Sequence, residues 1–419
     1  MYANTSRGPA GLGAGADHVS EYCQHVFGSL ARSDQRRWAE VYVRGLLDTP
    51  GRKSLKGMSA HVLGRPTIQA LQQFVNQSPW DCAAVRRDLA GAVNTALAPR
   101  AWSVDEVVFR KNGNQSAGVA PQFVPTRGRV VNCQVGLAVS LVRPEASAPA
   151  NWRLQLPRVW DDDPPRRAAA HIPDEVRHRP RWALVLDAVD ELVGDWELTP
   201  APVLVDSRYD TDVRQLLHGL EARGLGYIVE IGEHTALPVP RMRSTTRPVT
   251  VGPPQPGHTV TPGDLALGAV NTAARATVSW TEGVESRSRY SQFLVVQLPA
   301  AIPAPYQGAQ AVMHRPRRPR RLIAEWPLGK PKPRGYWVTN LSSRLLPDLV
   351  ALAKLGWRPR HDLHRMAEEF GLGDFEGRSF QGWHHHVTLV GAAYAHHCLE
   401  RLAELEQDPR RHELAAIGA

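Results

Sequence analysis

The chain has 419 residues, 42% of them hydrophobic, which is enough for a sizeable core in one large domain with an insertion or in two to three smaller ones. Its 50 Lys+Arg exceed its 41 Asp+Glu, giving a formal charge of +9 and a pI near 9.6, a balance that favours a polyanionic partner. Cys23, Cys82, Cys133 and Cys398 lie far apart in no metal-binding pattern and read as reduced thiols; with no run long enough to span a membrane and no signal-peptide core, the expectation is a cytoplasmic protein, neither secreted nor membrane-bound.

In chain order, residues 1–32 read as a disordered tail, Gly/Ala/Ser-rich up to about Val19. A helix is predicted over residues 34–47, with Ser33 as its cap. Trp38, Val41, Tyr42 and Leu46 fall on one face and Arg36, Arg37 and Arg44 on the other. A second helix starts at Pro66 and a third covers residues 81–97, so residues 33–100 form a helical, DNA-binding unit. A solvated basic face is the commoner meaning of such a pattern.

Residues 102–109 read as a strand carrying Asp105, and residues 202–209 as a strand running into Asp206. An acid inside a core strand needs a partner or a metal, so two such strands point to a shared divalent-cation site; the plainer reading is an exposed acid on an edge strand. Strands over 130–141, 151–156 and 227–231, with helices over 181–192 and near 213–220, complete the first part of an α/β core over residues 101–235. The acids Asp161, Asp162 and Asp163 read as loop or helix cap. Residues 236–335 read as a β-rich insertion, with a linker at 238–263 and strands at 276–280 and 293–298. It includes an exposed basic loop of Arg315, Arg317, Arg318, Arg320 and Arg321, suited to phosphate contacts, with Lys330, Lys332 and Arg334 nearby. Residues 336–410 return to the core with a strand at 336–341 and helices at 347–355 and 359–370. A final long helix is led by His384, His385 and His386, which read as a partly exposed structural cluster rather than a metal site.

Four stretches together carry a family resemblance: 132–140 (Asn-Cys-Gln-Val-Gly-Leu-Ala-Val-Ser); 151–157 (Asn-Trp-Arg-Leu-Gln-Leu-Pro) with Trp160, Arg166 and Arg167; 336–340 (Tyr-Trp-Val-Thr-Asn); and 375–379 (Phe-Glu-Gly-Arg-Ser) with Gly382 to His386. From about Asp34 to Leu405 the chain resembles the DDE-class transposases of bacterial insertion sequences. The resemblance implies a ribonuclease-H-like mixed sheet flanked by helices, preceded by the helical domain and interrupted by the β-rich insertion. It implies DNA cleavage and strand transfer in transposition, with Mg²⁺ or Mn²⁺ held by three carboxylates. Double-stranded DNA is then the partner, a homodimer the working form and the nucleoid the location. Asp105 and Asp206 match the first two acids, and Glu106 belongs on the opposite face of its strand. The family's third acid falls at Arg360, its arginine at Gly356 and its lysine at Ala367. Asp362, Glu368 and Glu369 are the nearest alternative acids. The resemblance therefore leaves two main readings, a transposase with an irregular third ligand or a decayed or repurposed copy that binds DNA without cutting, and a lesser third, a ribonuclease-H-like nuclease with another substrate.

Overall fold

The computed structural model describes residues 16–238, 259–269, 273, 275–283, 287–298 and 319–407. Five helices come first: α1 (Ala16–Val26), α2 (Ser33–Asp48), α3 (Leu55–Leu63), α4 (Ile68–Asn76) and α5 (Cys82–Leu97). α1 corrects the expectation of a tail to residue 32. Val19, Tyr22, Cys23 and Val26 recur at helical spacing, the last three are buried, and the Tyr22 hydroxyl donates to the Ala392 carbonyl at 2.7 Å. α3 was not read from the sequence. Ser54 caps it by accepting from the Gly57 N–H at 3.1 Å, and Gly64 ends it at φ 69°.

The strands and helices that follow are β1 (Ala101–Arg110), β2 (Ala120–Val124), β3 (Arg129–Val142), β4 (Ser147–Gln155), α6 (Pro164–Ala169), α7 (Arg181–Asp190), β5 (Val203–Ser207), α8 (Val213–Ala222) and β6 (Tyr227–Ile231). Next come the short pair β7 (Leu237–Pro238) and β8 (Thr259–Val260), α9 (Pro262–Gly268), β9 (Arg275–Glu282), β10 (Arg287–Leu298), β11 (Arg320–Pro327) and β12 (Gly335–Thr339). The chain closes on α10 (Leu346–Leu355), α11 (Trp357–Glu369) and α12 (Phe380–Gln407).

Ten strands make one mixed sheet in the order β2-β3-β1-β5-β6-β12-β11-β10-β9, with β4 also paired to β3. β1 lies between β3, to which it is antiparallel, and β5, to which it is parallel; β6 continues the parallel set. β3 is buried from Cys133 to Val142, as a central strand must be. This mixed sheet with helices against it is consistent with the ribonuclease-H-like expectation. Of the described strands of the 236–335 segment, β7 and β8 pair as a small sheet of their own, whereas β9, β10 and β11 extend the main sheet through β12.

Alternation along the strands divides the core. Val203, Val205 and Val229 belong to the main core, together with residues of α7 and α8. Leu204, Ile228, Ile323 and Trp337 point the other way and pack with Leu349, Val350, Leu352 and Leu355 of α10. The N-terminal helices have no core of their own, since their apolar faces merge with α12, which is buried on most sides. Buried Arg86 of α5 ties the layers together. It donates to Thr388 Oγ1 at 2.7 Å, to the Trp152 carbonyl at 3.0 Å, and to the His384 ring and carbonyl at 3.0 Å each.

Candidate functional site

β1 and β5 run parallel in a register that ends with Val104 opposite Val205, one residue before Asp105 and Asp206. On the other side of β5, Asp206 stands opposite Glu230 of β6. Three neighbouring strands thus bring three acids to the sheet face that α10 covers. Ser103, Asp105, Asp206 and Glu230 line a cleft closed from above by Gly356 and Arg360, where α10 passes into α11.

Charge in this cleft is balanced by arginine. Arg208, two residues beyond Asp206, donates from Nε to Oδ1 at 2.9 Å and from Nη2 to Oδ2 at 2.6 Å, and its backbone N–H adds a bond at 3.2 Å. Arg360 Nη1 lies 3.3 Å from Asp206 Oδ2 and 3.9 Å from Glu230 Oε2. Arg208 Nε lies 3.6 Å from Glu230 Oε1. Burial pushes the Asp206 carboxyl up, but the hydrogen bonds and charge of Arg208, with Arg360 behind them, hold it below the usual carboxylate range. Asp105 is buried and accepts from Ser103 Oγ at 2.6 Å. Its burial raises it, against the pull of Arg360. Glu230 is raised by burial and then by the neighbouring Asp206 charge.

The cleft therefore brings Asp105, Asp206 and Arg360 together. It leaves out the alternative acids. Asp362 is buried away from the cleft, accepting from the Ser147 N–H at 3.0 Å, Ser147 Oγ at 2.7 Å and Arg358 Nε at 2.9 Å. Glu368 pairs with His364 and Glu369 with Arg365 on the outer face of α11. Glu106 pairs at 2.5 Å with Arg181, which also reaches Asp210 at 2.5 Å. Sequence reasoning missed Glu230 and Arg208. The signal for Glu230 was present, since it is an acid inside an apolar strand, the same feature that singled out Asp105 and Asp206.

Of the arginines expected at DNA, Arg36 and Arg37 are exposed on α2. Arg315, Arg317 and Arg318 lie outside the described residues. Arg320 is not in an exposed loop: it belongs to β11, is 6% exposed, and grips Glu221 at 2.6 and 2.9 Å. Arg321, half-buried on the same strand, donates to the Arg344 carbonyl at 3.3 Å. Alternation of the strand turns Arg320 inward, and Glu221 of α8 compensates its charge. The histidine run is not partly exposed but buried. His385 has its two ring nitrogens 2.8 and 2.9 Å from the Val75 and Trp80 carbonyls. His386 accepts from Tyr42 Oη at 3.0 Å and donates from Nε2 toward the Gly371 and Leu372 carbonyls.

The carboxylates supply the hard oxygen donors that Mg²⁺ or Mn²⁺ prefers. The residues around them do not fit such an ion. Both oxygens of Asp206 are engaged by Arg208, and a second guanidinium reaches the same carboxylate and Glu230. A divalent ion there would meet two fixed positive charges at contact distance. Among the described residues, no group of three or more His, Cys, Asp or Glu is arranged to hold a metal.

Residues 25–287 match the family described as DDE superfamily endonuclease. No curated protein matches the chain. No described helix is long and apolar enough to cross a membrane.

Proposed function

Because the chain belongs to the DDE superfamily endonuclease family, we propose that it is a transposase-type protein that binds double-stranded DNA and does not cut it. Membership points to a DNA phosphodiester as the substrate class and to transposase-like nuclease chemistry as the family's activity. The observation that carries the proposal is the double grip on Asp206 by Arg208 and Arg360. A carboxylate held by two guanidiniums has no free oxygen with which to activate a water or a 3′-hydroxyl, or to hold an ion that would.

DNA binding itself needs none of these acids. A net charge of +9 supplies long-range attraction, and exposed arginines such as Arg36 and Arg37 supply phosphate contacts. Insertion-sequence ends as the DNA bound, and a homodimer as the binding form, are part of the proposal and follow from the family resemblance.

The alternative, a transposase active with Mg²⁺ or Mn²⁺, draws support from the side-by-side placement of Asp105 and Asp206. A nicking assay on supercoiled DNA with Mg²⁺ or Mn²⁺ separates the two. The expected result is retention of DNA in a mobility-shift assay and no nicked product. Nicking that disappears in Asp206→Ala would establish the active form instead.

A further inference from the structure

We propose that Arg208 and Arg360 jointly stand in for the cations of this cleft, and that Glu230 on β6, not any acid of α11, is its third carboxylate. The proposal rests on the reading of a non-cutting site and extends it, because Arg360 then acts together with a second guanidinium, that of Arg208. Each guanidinium contacts the same two acids. Arg208 lies 2.6 Å from Asp206 and 3.6 Å from Glu230, and Arg360 lies 3.3 and 3.9 Å from them.

The two arginines arrive from different elements, one from the end of β5 and one from the first turn of α11. Asp206 and Glu230 are forced together by strand pairing, so their repulsion is built into the sheet and needs positive charge beside it. Two cations from separate elements, each spanning one pair of carboxylates, meet that need without a metal. Arginine suits the task because its planar fork bridges carboxylates and keeps its charge at any working pH.

Two consequences distinguish this arrangement from incidental surface ion pairs. Removing Arg360 alone should leave the cleft closed, since Arg208 still occupies both oxygens of Asp206. With both arginines removed, Asp105, Asp206 and Glu230, which are not arranged to hold a metal while the guanidiniums stand among them, should be free to draw together around a divalent ion.

The test is Mn²⁺ binding by electron paramagnetic resonance, with folding checked by near-ultraviolet circular dichroism of the tryptophans. The proteins compared are the native chain, Arg360→Gln, Arg208→Gln/Arg360→Gln, and that double variant with Glu230→Gln added. Glutamine keeps much of the side-chain length, and Arg208→Lys/Arg360→Lys provides a second folded control that retains the charge. The expected result is an affinity at least about tenfold higher in the double glutamine variant than in the native chain or Arg360→Gln, lost again with Glu230→Gln. The lysine pair should stay closed. The proposal is overturned if the native chain binds Mn²⁺ as well as the double glutamine variant, if the folded double variant binds none, or if Glu230→Gln leaves its affinity unchanged. Failure here is separable from failure of the functional reading. Nicking by the native chain would sink the latter, whereas Mn²⁺ binding that ignores the arginines, with no nicking, would sink this proposal alone.

Discussion

Asp206 and Glu230 stand directly opposite each other on adjacent parallel strands, two carboxylates paired in register inside one cleft. Their repulsion predicts a stability effect separate from any chemistry. Arg208→Ala should destabilise the fold by about 1 kcal/mol, a modest figure because the arginine is 39% exposed and solvent screens it. Glu230→Gln placed in that background should restore part of the loss by removing one of the two like charges. Urea unfolding of the single and double variants measures both, and a Glu230→Gln change that further weakens the Arg208→Ala protein would contradict the electrostatic account.

The arginines divide into two kinds, and DNA binding should tell them apart. Arg37→Ala should leave stability nearly unchanged, Arg36→Ala should cost about 1 kcal/mol because its guanidinium also donates to the Leu30 carbonyl, and each should flatten the log–log salt dependence of DNA binding by about one unit. Arg320→Ala should do the reverse. It takes the guanidinium from half-buried Glu221 and leaves it the Tyr227 hydroxyl at 2.8 Å, so a loss of about 3 kcal/mol is expected, with the salt slope of the folded fraction unaltered. Equal salt slopes for the native chain and an Arg36→Ala/Arg37→Ala double variant would remove α2 from the DNA interface.

Acid should weaken the fold through its buried histidines. His386 is held neutral, because burial lowers it from 6.5 to about 4. The unfolded chain therefore binds a proton that the folded chain refuses between about pH 6.5 and pH 4, and stability falls as pH drops through that window. The slope contributed is about 1 kcal/mol per pH unit. Asp105 and Glu230, both raised by burial, work in the opposite sense because they take up protons more readily when folded. Urea titrations at a series of pH values, native against His386→Gln, should show a shallower pH dependence in the variant.

Gly136 on β3 marks where the last helix meets the sheet. A Cβ there would lie 2.8 Å from Trp383 Cζ2 and 3.1 Å from Phe109 Cε2. Both rings are buried and in contact with each other, so neither has room to retreat. Gly136→Ala should cost about 1–3 kcal/mol by overpacking. A thermal midpoint equal to that of the native chain would mean that the rings yield more easily than this packing implies.

Periodicity alone determined most of the secondary structure. The alternating and continuous apolar runs around Asp105, Val135, Asp206 and Val229 became strands of one sheet, and the long apolar stripe from Val387 to Leu402 became the central helix. Local spacing also singled out Asp105 and Asp206, because an acid inside an apolar strand is visible without knowing what pairs with it. What sequence left undecided was every relation set by long-range packing. The helix α1 shows the right spacing, but only contact with α12 turns that pattern into buried surface. The strands between residues 275 and 327 read as an insertion because nothing local reveals that β12 carries them into the main sheet. Arg320 looked like part of a charge run until strand alternation turned it toward Glu221. Glu230 joined the cleft only through its register with Asp206, and Arg208 only by folding back two residues onto it. Charges attract or repel according to distance in space, and that distance is a property of strand order and register, which tertiary structure alone decides.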